Sequence, residues 1–202
     1  MIAIRCDSST QMGTGHLIRC LALAEQLREF HPEIHFFCRD LPGHISERAR
    51  EKGFALTLIA ANTSVAEEIK TIQNLSPQAV VVDHYDLDEK WESSFYSKSF
   101  VFVIDDLADR KHQCHALVDQ NFRFSKENLY SSLLPLDTSL FLGSRFAILR
   151  KELLSLKRKN SAAGARKKIL CFFGGADSSG EALKLAQALS HYPTDSFFQI
   201  VV

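Results

Sequence analysis

The sequence has no excess of charge of either sign. Its 202 residues include 24 basic and 24 acidic side chains, and the isoelectric point is about 7.1. Proteins that bind nucleic acid usually carry a strongly basic domain or patch. The balanced charge gives no electrostatic indication of such a partner, and we expect no nucleic acid among the ligands.

Long hydrophobic runs are absent as well. Although 46% of the residues are hydrophobic, no apolar run approaches the ~20 residues that a membrane-spanning helix needs. The amino terminus lacks the basic and then apolar layout of a signal peptide. We therefore predict a globular, cytoplasmic protein with no membrane partner, and we expect it to be a monomer.

Cysteine is scarce, and its spacing does not suit metal binding. The five cysteines are scattered and form no C-x-x-C pair, so we predict reduced, buried thiols. The stretch "DDLADRKHQCH", residues 105–115, contains possible ligands, but Cys114 and His115 are adjacent and no H-x-x-x-H spacing accompanies them. Zinc sites need better-spaced ligands, and we predict no metal and no cofactor.

The stretch "RCDSSTQMGTGHLIRCLALA" from Arg5 to Ala24 predicts a strand, a glycine loop and a helix. Gly13 and Gly15 can adopt positive φ and let a ligand approach the backbone. The apolar residues that follow recur every three or four positions, which indicates a helix with one buried face. The free N–H groups and positive dipole end of such a helix form a natural anion site.

His16 stands where this helix should begin. A positive dipole end disfavours the imidazolium form, so a histidine there tends to stay neutral and can accept a proton. It is therefore a candidate general base. The alternative is that a polar residue caps the helix, and a lone glycine loop does not decide between the two. The loop also lacks the third glycine of the dinucleotide motif and the lysine of the P-loop, which disfavours dehydrogenase and ATPase functions.

Strand and helix patterns alternate along most of the chain. Wholly apolar runs such as "AVVV" (79–82) and "FVFVI" (100–104) are typical of parallel strands buried on both faces. We predict strands at 1–6, 34–38, 54–59, 79–82, 100–104 and 116–118, short edge structure at 140–142 and 146–149, and helices beginning at 16, 44, 64 and 87. This alternation predicts an α/β, Rossmann-like, doubly wound parallel sheet.

Ligands of such sheets bind at the carboxyl ends of the strands, where this sequence places many polar residues. We expect these residues to converge on one rim, although acidic residues at strand ends often only cap the next helix. They are Asp7, His16, Asp83, His84, Tyr85, Asp105, Asp106 and Arg110.

The pattern restarts after a basic, glycine-containing stretch at 155–166. "KILCFF", "FFGGADSSG", a helix at 181–191 and a strand at 197–202 indicate the beginning of a second βαβ unit. Gly174 and Gly175 could let the backbone approach a diphosphate, or could form a plain tight turn. We predict an N-terminal domain at 1–154, a linker at 155–166 and the truncated start of a second domain at 167–202, as in the front part of a longer protein.

Five motifs together resemble one family. They are "RCDSSTQMGTGHLIRCLALA", "VVVDHYDLDEKWE", "VIDDLADRKHQCHALVDQN", "LGSRFAILRKE" and "FFGGADSSG". In order and spacing, from Arg5 to about Gly180, they are similar to the PseG/SpsG family. Its members are UDP-2,4-diacetamido-2,4,6-trideoxy-β-L-altropyranose hydrolases of pseudaminic acid synthesis, related to the MurG-type glycosyltransferases.

The resemblance implies a GT-B fold with two Rossmann-like domains and the active site between them. It implies removal of UDP by water attack at the anomeric carbon, with inversion and without a metal. By the same resemblance, His16 is the catalytic histidine, and the other predicted site residues bind or support the UDP-sugar. They are Asp7, Gly13, Gly15, Arg19, Asp83, Tyr85, Asp105, Asp106, Arg110, Gly174 and Gly175.

Two other functions stay open on the sequence. A GT-B glycosyltransferase would transfer the sugar to an acceptor hydroxyl instead of water. A non-catalytic or inactive fragment would fold and bind sugar without turnover, and the end of the sequence in the middle of a predicted strand at Val202 favours this alternative.

Overall fold

Seven parallel strands form the central sheet. The computed structural model describes residues 1–122, 129–154, 168–174, 177, 179–191 and 196–201. The strands are β1 (Ile2–Cys6), β2 (Ile34–Asp40), β3 (Ala55–Ala60), β4 (Ala79–Asp83), β5 (Phe100–Ile104), β6 (Ala116–Asp119) and β7 (Ser139–Leu142). They are ordered β3-β2-β1-β4-β5-β6-β7 across the sheet, and every neighbouring pair is parallel.

Five helices lie along the described part of this region. They are α1 (Gly15–Leu27), α2 (Glu47–Glu51), α3 (Val65–Gln73), α4 (Glu89–Tyr96) and α5 (Lys151–Leu154), with a 3₁₀ turn at Ser144–Phe146. α3 begins with a reciprocal capping box between Ser64 and Glu67, which satisfies two otherwise unpaired N–H groups. α2 begins three residues later than the predicted helix, which starts at 44, and the N–H of Ile45 before it donates to the Ser8 hydroxyl oxygen.

The two faces of the sheet are covered by separate apolar layers. Ile4, Leu17 and Phe36 belong to the layer that includes α1, whereas Phe37 and Trp91 belong to the layer that includes α4. Consecutive residues 36 and 37 therefore enter opposite layers, because successive side chains of a strand point to opposite faces. The predicted doubly wound α/β sheet is confirmed.

The direction of winding reverses between β1 and β4. The chain runs from β1 outward through β2 to β3, and then returns to β4 on the other side of β1 and continues outward to β7. Cys6 at the end of β1 is directly opposite Asp83 at the end of β4. Doubly wound sheets bind ligands at such a switch point, outside the carboxyl ends of the strands.

A second, two-stranded sheet lies near the end of the chain. It pairs β8 (Lys168–Phe172) with β9 (Phe197–Val201) in parallel, and α6 (Glu181–His191) connects them. The carboxylate of Asp177 accepts hydrogen bonds from the N–H groups of Glu181 and Ala182 at the start of this helix. The predicted strand, helix and strand are therefore present, while the predicted linker at 155–166 and Gly175 lie outside the described residues.

All five cysteines are free thiols, and four of them are buried. Burial raises the pKa of Cys20 to about 11 and that of Cys114 to about 12, so both stay protonated at neutral pH. The predicted reduced thiols are present. In the part of the chain that the structure describes, no helix is both long and apolar enough to cross a bilayer.

Candidate functional site

A cleft of about 690 Å³ opens at the switch point, beside the start of α1. Small-molecule sites typically have volumes of ~300–1,000 Å³. Six of the predicted site residues line it, namely Gly15, His16, Arg19, Tyr85, Asp106 and Gly174. The cleft therefore contains residues from the glycine loop, from the loops after β4 and β5, and from the segment after β8.

His16, which lines this cleft, forms a buried pair with Asp83. Nδ1 of His16 lies 2.6 Å from Oδ1 of Asp83, and the two side chains are 5% and 0% exposed. An ionised carboxylate only accepts hydrogen bonds, so Nδ1 carries the proton. Nε2 has no protein partner among the described residues, and it is the nitrogen that remains for a water or a ligand.

Arg19 keeps Asp83 ionised. It lies one turn after His16 on α1, and its Nε and Nη2 donate to the two Asp83 oxygens at 2.9 and 2.7 Å. Burial by itself would raise the pKa of Asp83, but the hydrogen bonds from His16 and Arg19 and the charge of Arg19 lower it below its ordinary value. Nη1 of Arg19 also contacts Asp106 at 3.2 Å, so this arginine joins the two carboxylates.

Tyr85 packs in a T-shaped arrangement against His16, and both residues line the cleft. The two ring centroids are 4.5 Å apart and the rings are inclined by 79°, which is a favourable edge-to-face geometry. Burial and the nearby Asp106 carboxylate raise the pKa of the Tyr85 phenol, so it remains a neutral hydroxyl at neutral pH. Asp83 itself does not line the cleft, but it contacts two residues that do, His16 and Arg19.

Of the two predicted loop glycines, only Gly15 lines the cleft. Gly13 has a φ of 82°, and its N–H donates to the carbonyl oxygen of Ser9, so this donor is used inside the loop. Gly15 faces the cleft, and a Cβ built there would meet no atom within 4 Å. The N–H groups of the first turn of α1 have no carbonyl four residues earlier within the helix. Gly15 and His16, which line the cleft, belong to this turn.

Asp7 belongs to a buried charge network beneath the sheet rim, not to the lining of the cleft. Its Oδ1 accepts from Arg5 at 2.6 Å and from the N–H of Arg39 at 2.6 Å, and its Oδ2 accepts from Nε2 of His84 at 3.1 Å. Burial would raise the pKa of Asp7, but the hydrogen bond from His84 and the charge of Arg5 lower it well below its usual range.

Glu68 completes this network. It is 1% exposed and accepts from Nε of Arg5 at 2.8 Å, from Arg39 at 2.8 Å and from the indole N–H of Trp91 at 3.1 Å. Burial would raise the pKa of Glu68, but Arg5 and then Arg39 lower it below its ordinary value. Every oxygen of both carboxylates has a partner, which is what buried charges require.

Asp105 and Arg110 support the loop that carries Tyr85 instead of lining the cleft. Arg110 donates to the carbonyl oxygens of His84 and Leu87, both at 2.9 Å, and thus holds the two ends of the 84–87 turn. Asp105 is 2% exposed and contacts Arg110 at 2.9 Å. Burial would raise the pKa of Asp105, but the Ala108 N–H and the Arg110 charge lower it.

The structure brings two arginines into the cleft that sequence reasoning missed. Arg48 lies on α2 and Arg150 directly precedes α5. Arg48 belongs to a short helix composed mainly of charged residues, and such a sequence is typical of a solvent-exposed surface. Arg150 is part of "LGSRFAILRKE", one of the family-like motifs, but no local pattern singles it out.

The described residues contain no group of three or more His, Cys, Asp or Glu side chains that is arranged to hold a metal ion. The charged and imidazole side chains of the cleft are instead one histidine, three arginines and one carboxylate, beside the uncharged polar groups of Thr14, Tyr85 and Gln120. This donor set suits an anionic organic ligand.

Comparison with known proteins gives two distant relatives. No protein-family profile matches the chain. Over its full length it is 28% identical to an uncharacterized protein of Methanocaldococcus jannaschii, of which the match covers 42%. Over 93% of its length it is 27% identical to the UDP-2,4-diacetamido-2,4,6-trideoxy-β-L-altropyranose hydrolase of Campylobacter jejuni, of which the match covers 65%.

The chain thus spans less than two thirds of the length of each of these relatives. It is distantly related to an enzyme that processes a nucleotide sugar, and its sheet is of the Rossmann-like type expected of a GT-B-related family.

Proposed function

We propose that the chain carries the catalytic residues of a nucleotide-sugar hydrolase. The proposed reaction is the removal of UDP from UDP-2,4-diacetamido-2,4,6-trideoxy-β-L-altropyranose, a step of pseudaminic acid synthesis. The observation that carries the proposal is the buried His16–Asp83 pair, whose histidine lines a cleft of ligand size and keeps Nε2 without a protein partner among the described residues. The distant similarity to a hydrolase of this name gives the substrate class.

In the proposed reaction, His16 acts as the general base. Nε2 takes a proton from a water molecule as the water oxygen bonds to the anomeric carbon. The bond from that carbon to the phosphate oxygen breaks, and its electron pair leaves with UDP. The Asp83 carboxylate on Nδ1 stabilises the imidazolium that forms and fixes the ring in the required tautomer. Arg19 in turn keeps that carboxylate charged and oriented.

We also propose that the chain comprises two domains with separate roles in this reaction. Residues 1–154 would supply the sugar and catalytic side, and residues 167–202 would begin a nucleotide-binding domain. Gly174 at the cleft supports this division. The cytoplasmic, monomeric state is part of the same proposal.

The test is UDP release from this sugar nucleotide by the 202-residue chain, beside its His16→Ala variant. We expect the variant to lose about 10²- to 10⁴-fold in rate, the usual contribution of a general base. His31→Ala, an exposed histidine just beyond α1, is the matched control and should retain full activity. Undiminished release by His16→Ala, or no release by the unmodified chain, would contradict the proposal.

Product analysis separates hydrolysis from glycosyl transfer. In the presence of an acceptor sugar, hydrolysis gives free diacetamido-trideoxy-altrose as the only sugar product. A disaccharide product would show that an acceptor hydroxyl replaces water, and would overturn the hydrolase assignment.

A further inference from the structure

The cleft has more positive than negative side chains. Arg19, Arg48 and Arg150 line it against a single carboxylate, Asp106. Arg19 is committed to Asp83 and Asp106. Arg48 and Arg150 make no side-chain hydrogen bond or ion pair with any described residue, so no described carboxylate neutralises their charges.

The setting of Arg48 explains why it remains unpaired. The adjacent carboxylate, Glu47, is held by Arg50 with contacts of 2.7 and 2.8 Å. Glu25, on the neighbouring α1, forms an ion pair with Lys52. Two of the acidic groups near Arg48 are thus engaged by other cations, and Arg48 lines the cleft without an ion pair to a described residue.

Arg150 is held in place by its chain neighbours. The N–H of Ile148 donates to Gln120 at 3.0 Å, and the carbonyl oxygen of Leu149 accepts from Gln26 of α1 at 2.8 Å. Lys151, on the other side, contacts Glu29 of α1 at 2.8 Å. The backbone on both sides of Arg150 is therefore fixed against α1 while its side chain lines the cleft.

His16, at the start of α1, lines the same cleft as these two arginines. It is 5% exposed, and its Nε2 has no protein partner among the described residues. An open histidine nitrogen, two unpaired arginines and the first turn of a thirteen-residue helix thus surround one space.

We propose that Arg48 and Arg150, with the first turn of α1, form a subsite for a diphosphate group. This inference rests on the proposed function and deepens it, because it assigns part of the binding of the leaving group to residues before 155. Planar guanidinium groups bind phosphate oxygens in a bidentate manner. In a hydrolysis that releases UDP, they would stabilise both the bound diphosphate and the charge that develops on the departing oxygen.

The experiment measures calorimetric binding of inorganic pyrophosphate, UDP and uridine to the 202-residue chain, without turnover. We expect pyrophosphate and UDP to bind and uridine to bind much more weakly. Arg48→Ala and Arg150→Ala should each weaken both diphosphate ligands by about tenfold, since a hydrogen bond to a charged group contributes ~1.5 kcal/mol or more. Arg48→Lys and Arg150→Lys should lose less, because they retain the charge.

Arg145→Ala is the matched control, because this arginine is exposed on the 3₁₀ turn and does not line the cleft. Its affinity for both ligands should equal that of the unmodified chain. Circular dichroism of each variant verifies that the fold is retained.

The outcomes separate this subsite from the proposed function. Diphosphate binding that depends on Arg48 and Arg150 supports the subsite even if no sugar is released. His16-dependent UDP release with an unchanged KM in the Arg48→Ala/Arg150→Ala double variant would overturn the subsite and leave the hydrolase standing. Absence of pyrophosphate binding by the unmodified chain would also overturn the subsite.

Discussion

Two buried, hydrogen-bonded histidine–aspartate pairs lie at the same rim of the sheet, and they differ in what the second imidazole nitrogen contacts. In the open pair, His16 and Asp83, Nδ1 donates to the carboxylate, Nε2 has no protein partner among the described residues, and the histidine lines the cleft. In the closed pair, His84 and Asp7, Nε2 donates to the carboxylate at 3.1 Å, and Nδ1 accepts from the N–H of Asp86 at 3.0 Å. Both nitrogens of His84 are therefore occupied.

The difference shows how similar residues can serve reactivity in one place and stability in another. Both aspartates are buried, both contact an arginine, and both have a lowered pKa. A base needs a nitrogen that can take a proton, and only the open pair presents one to the cleft. The closed pair fixes the backbone of residues 84–86. This segment carries Tyr85, whose ring packs against His16.

The largest expected effect comes from breaking the open pair. In Asp83→Asn, the amide can donate to Nδ1 of His16, which favours the wrong tautomer and removes the charge that stabilises the imidazolium. We expect the rate of UDP release to fall by about 10²- to 10⁴-fold. The same substitution in the closed pair, Asp7→Asn, should reduce the rate far less. Equal losses in the two variants would remove the distinction between the pairs.

The next effect is on stability, and it comes from the network around the closed pair. In Glu68→Ala, Arg5 and Arg39 lose the carboxylate that neutralises them in a buried setting, and breaking such a pair costs about 3–5 kcal/mol. Urea unfolding followed by circular dichroism measures this loss. Glu51→Ala, at the exposed end of α2, should leave the midpoint unchanged. A loss below ~1 kcal/mol would show that the network does little for the fold.

A smaller effect concerns Arg110, which links the two pairs through the 84–87 turn. In Arg110→Lys, one ammonium replaces a fork that holds two carbonyl oxygens, so Tyr85 is less well fixed beside His16. We expect about a tenfold lower kcat, equivalent to ~1.4 kcal/mol, with little change in KM. Arg28→Lys is the control, because Arg28 also donates to a backbone carbonyl but lies over Phe54. A change in KM alone would indicate that Arg110 contacts the ligand.

The smallest effect is a pH dependence of the stability, which arises from Asp7 of the closed pair and from Glu68 of the network around it. The folded-state pKa values of Asp7 and Glu68 are lowered, against ordinary values of about 3.9 and 4.3. Their stabilising contribution is therefore complete above pH ~4.5 and is lost as the pH falls through the folded-state pKa values. In Asp7→Asn, the fall in the urea midpoint between pH 5 and pH 3 should be shallower than in the unmodified chain. An equally steep fall would contradict this role of Asp7.

Much of the fold was predictable because its signals are local. Apolar runs at 79–82 and 100–104 and the capping residue Ser64 identify strands and a helix start within a few positions. The glycine loop and the position of His16 at the start of α1 were predictable for the same reason.

The roles of the two aspartates were not predictable, since both stand at the end of a buried strand. What separates them is distant in the chain. Asp7 meets Arg39 and His84, whereas Asp83 meets His16 and Arg19. Arg48 and Arg150 likewise line one cleft although they are about a hundred residues apart in the chain, because the fold brings their segments together beside α1.

The contact between Trp91 and Glu68 has a practical consequence. Trp91 is the only tryptophan of the sequence, is 3% exposed, and donates its indole N–H to the central carboxylate of the buried network. Its intrinsic fluorescence therefore reports on that network from within. Because Trp91 is not among the lining residues of the cleft, ligand binding should leave the emission maximum unchanged, while opening of the network shifts it to the red. The fluorescence of Trp91 can therefore be used to follow the integrity of the buried charge network without an added label.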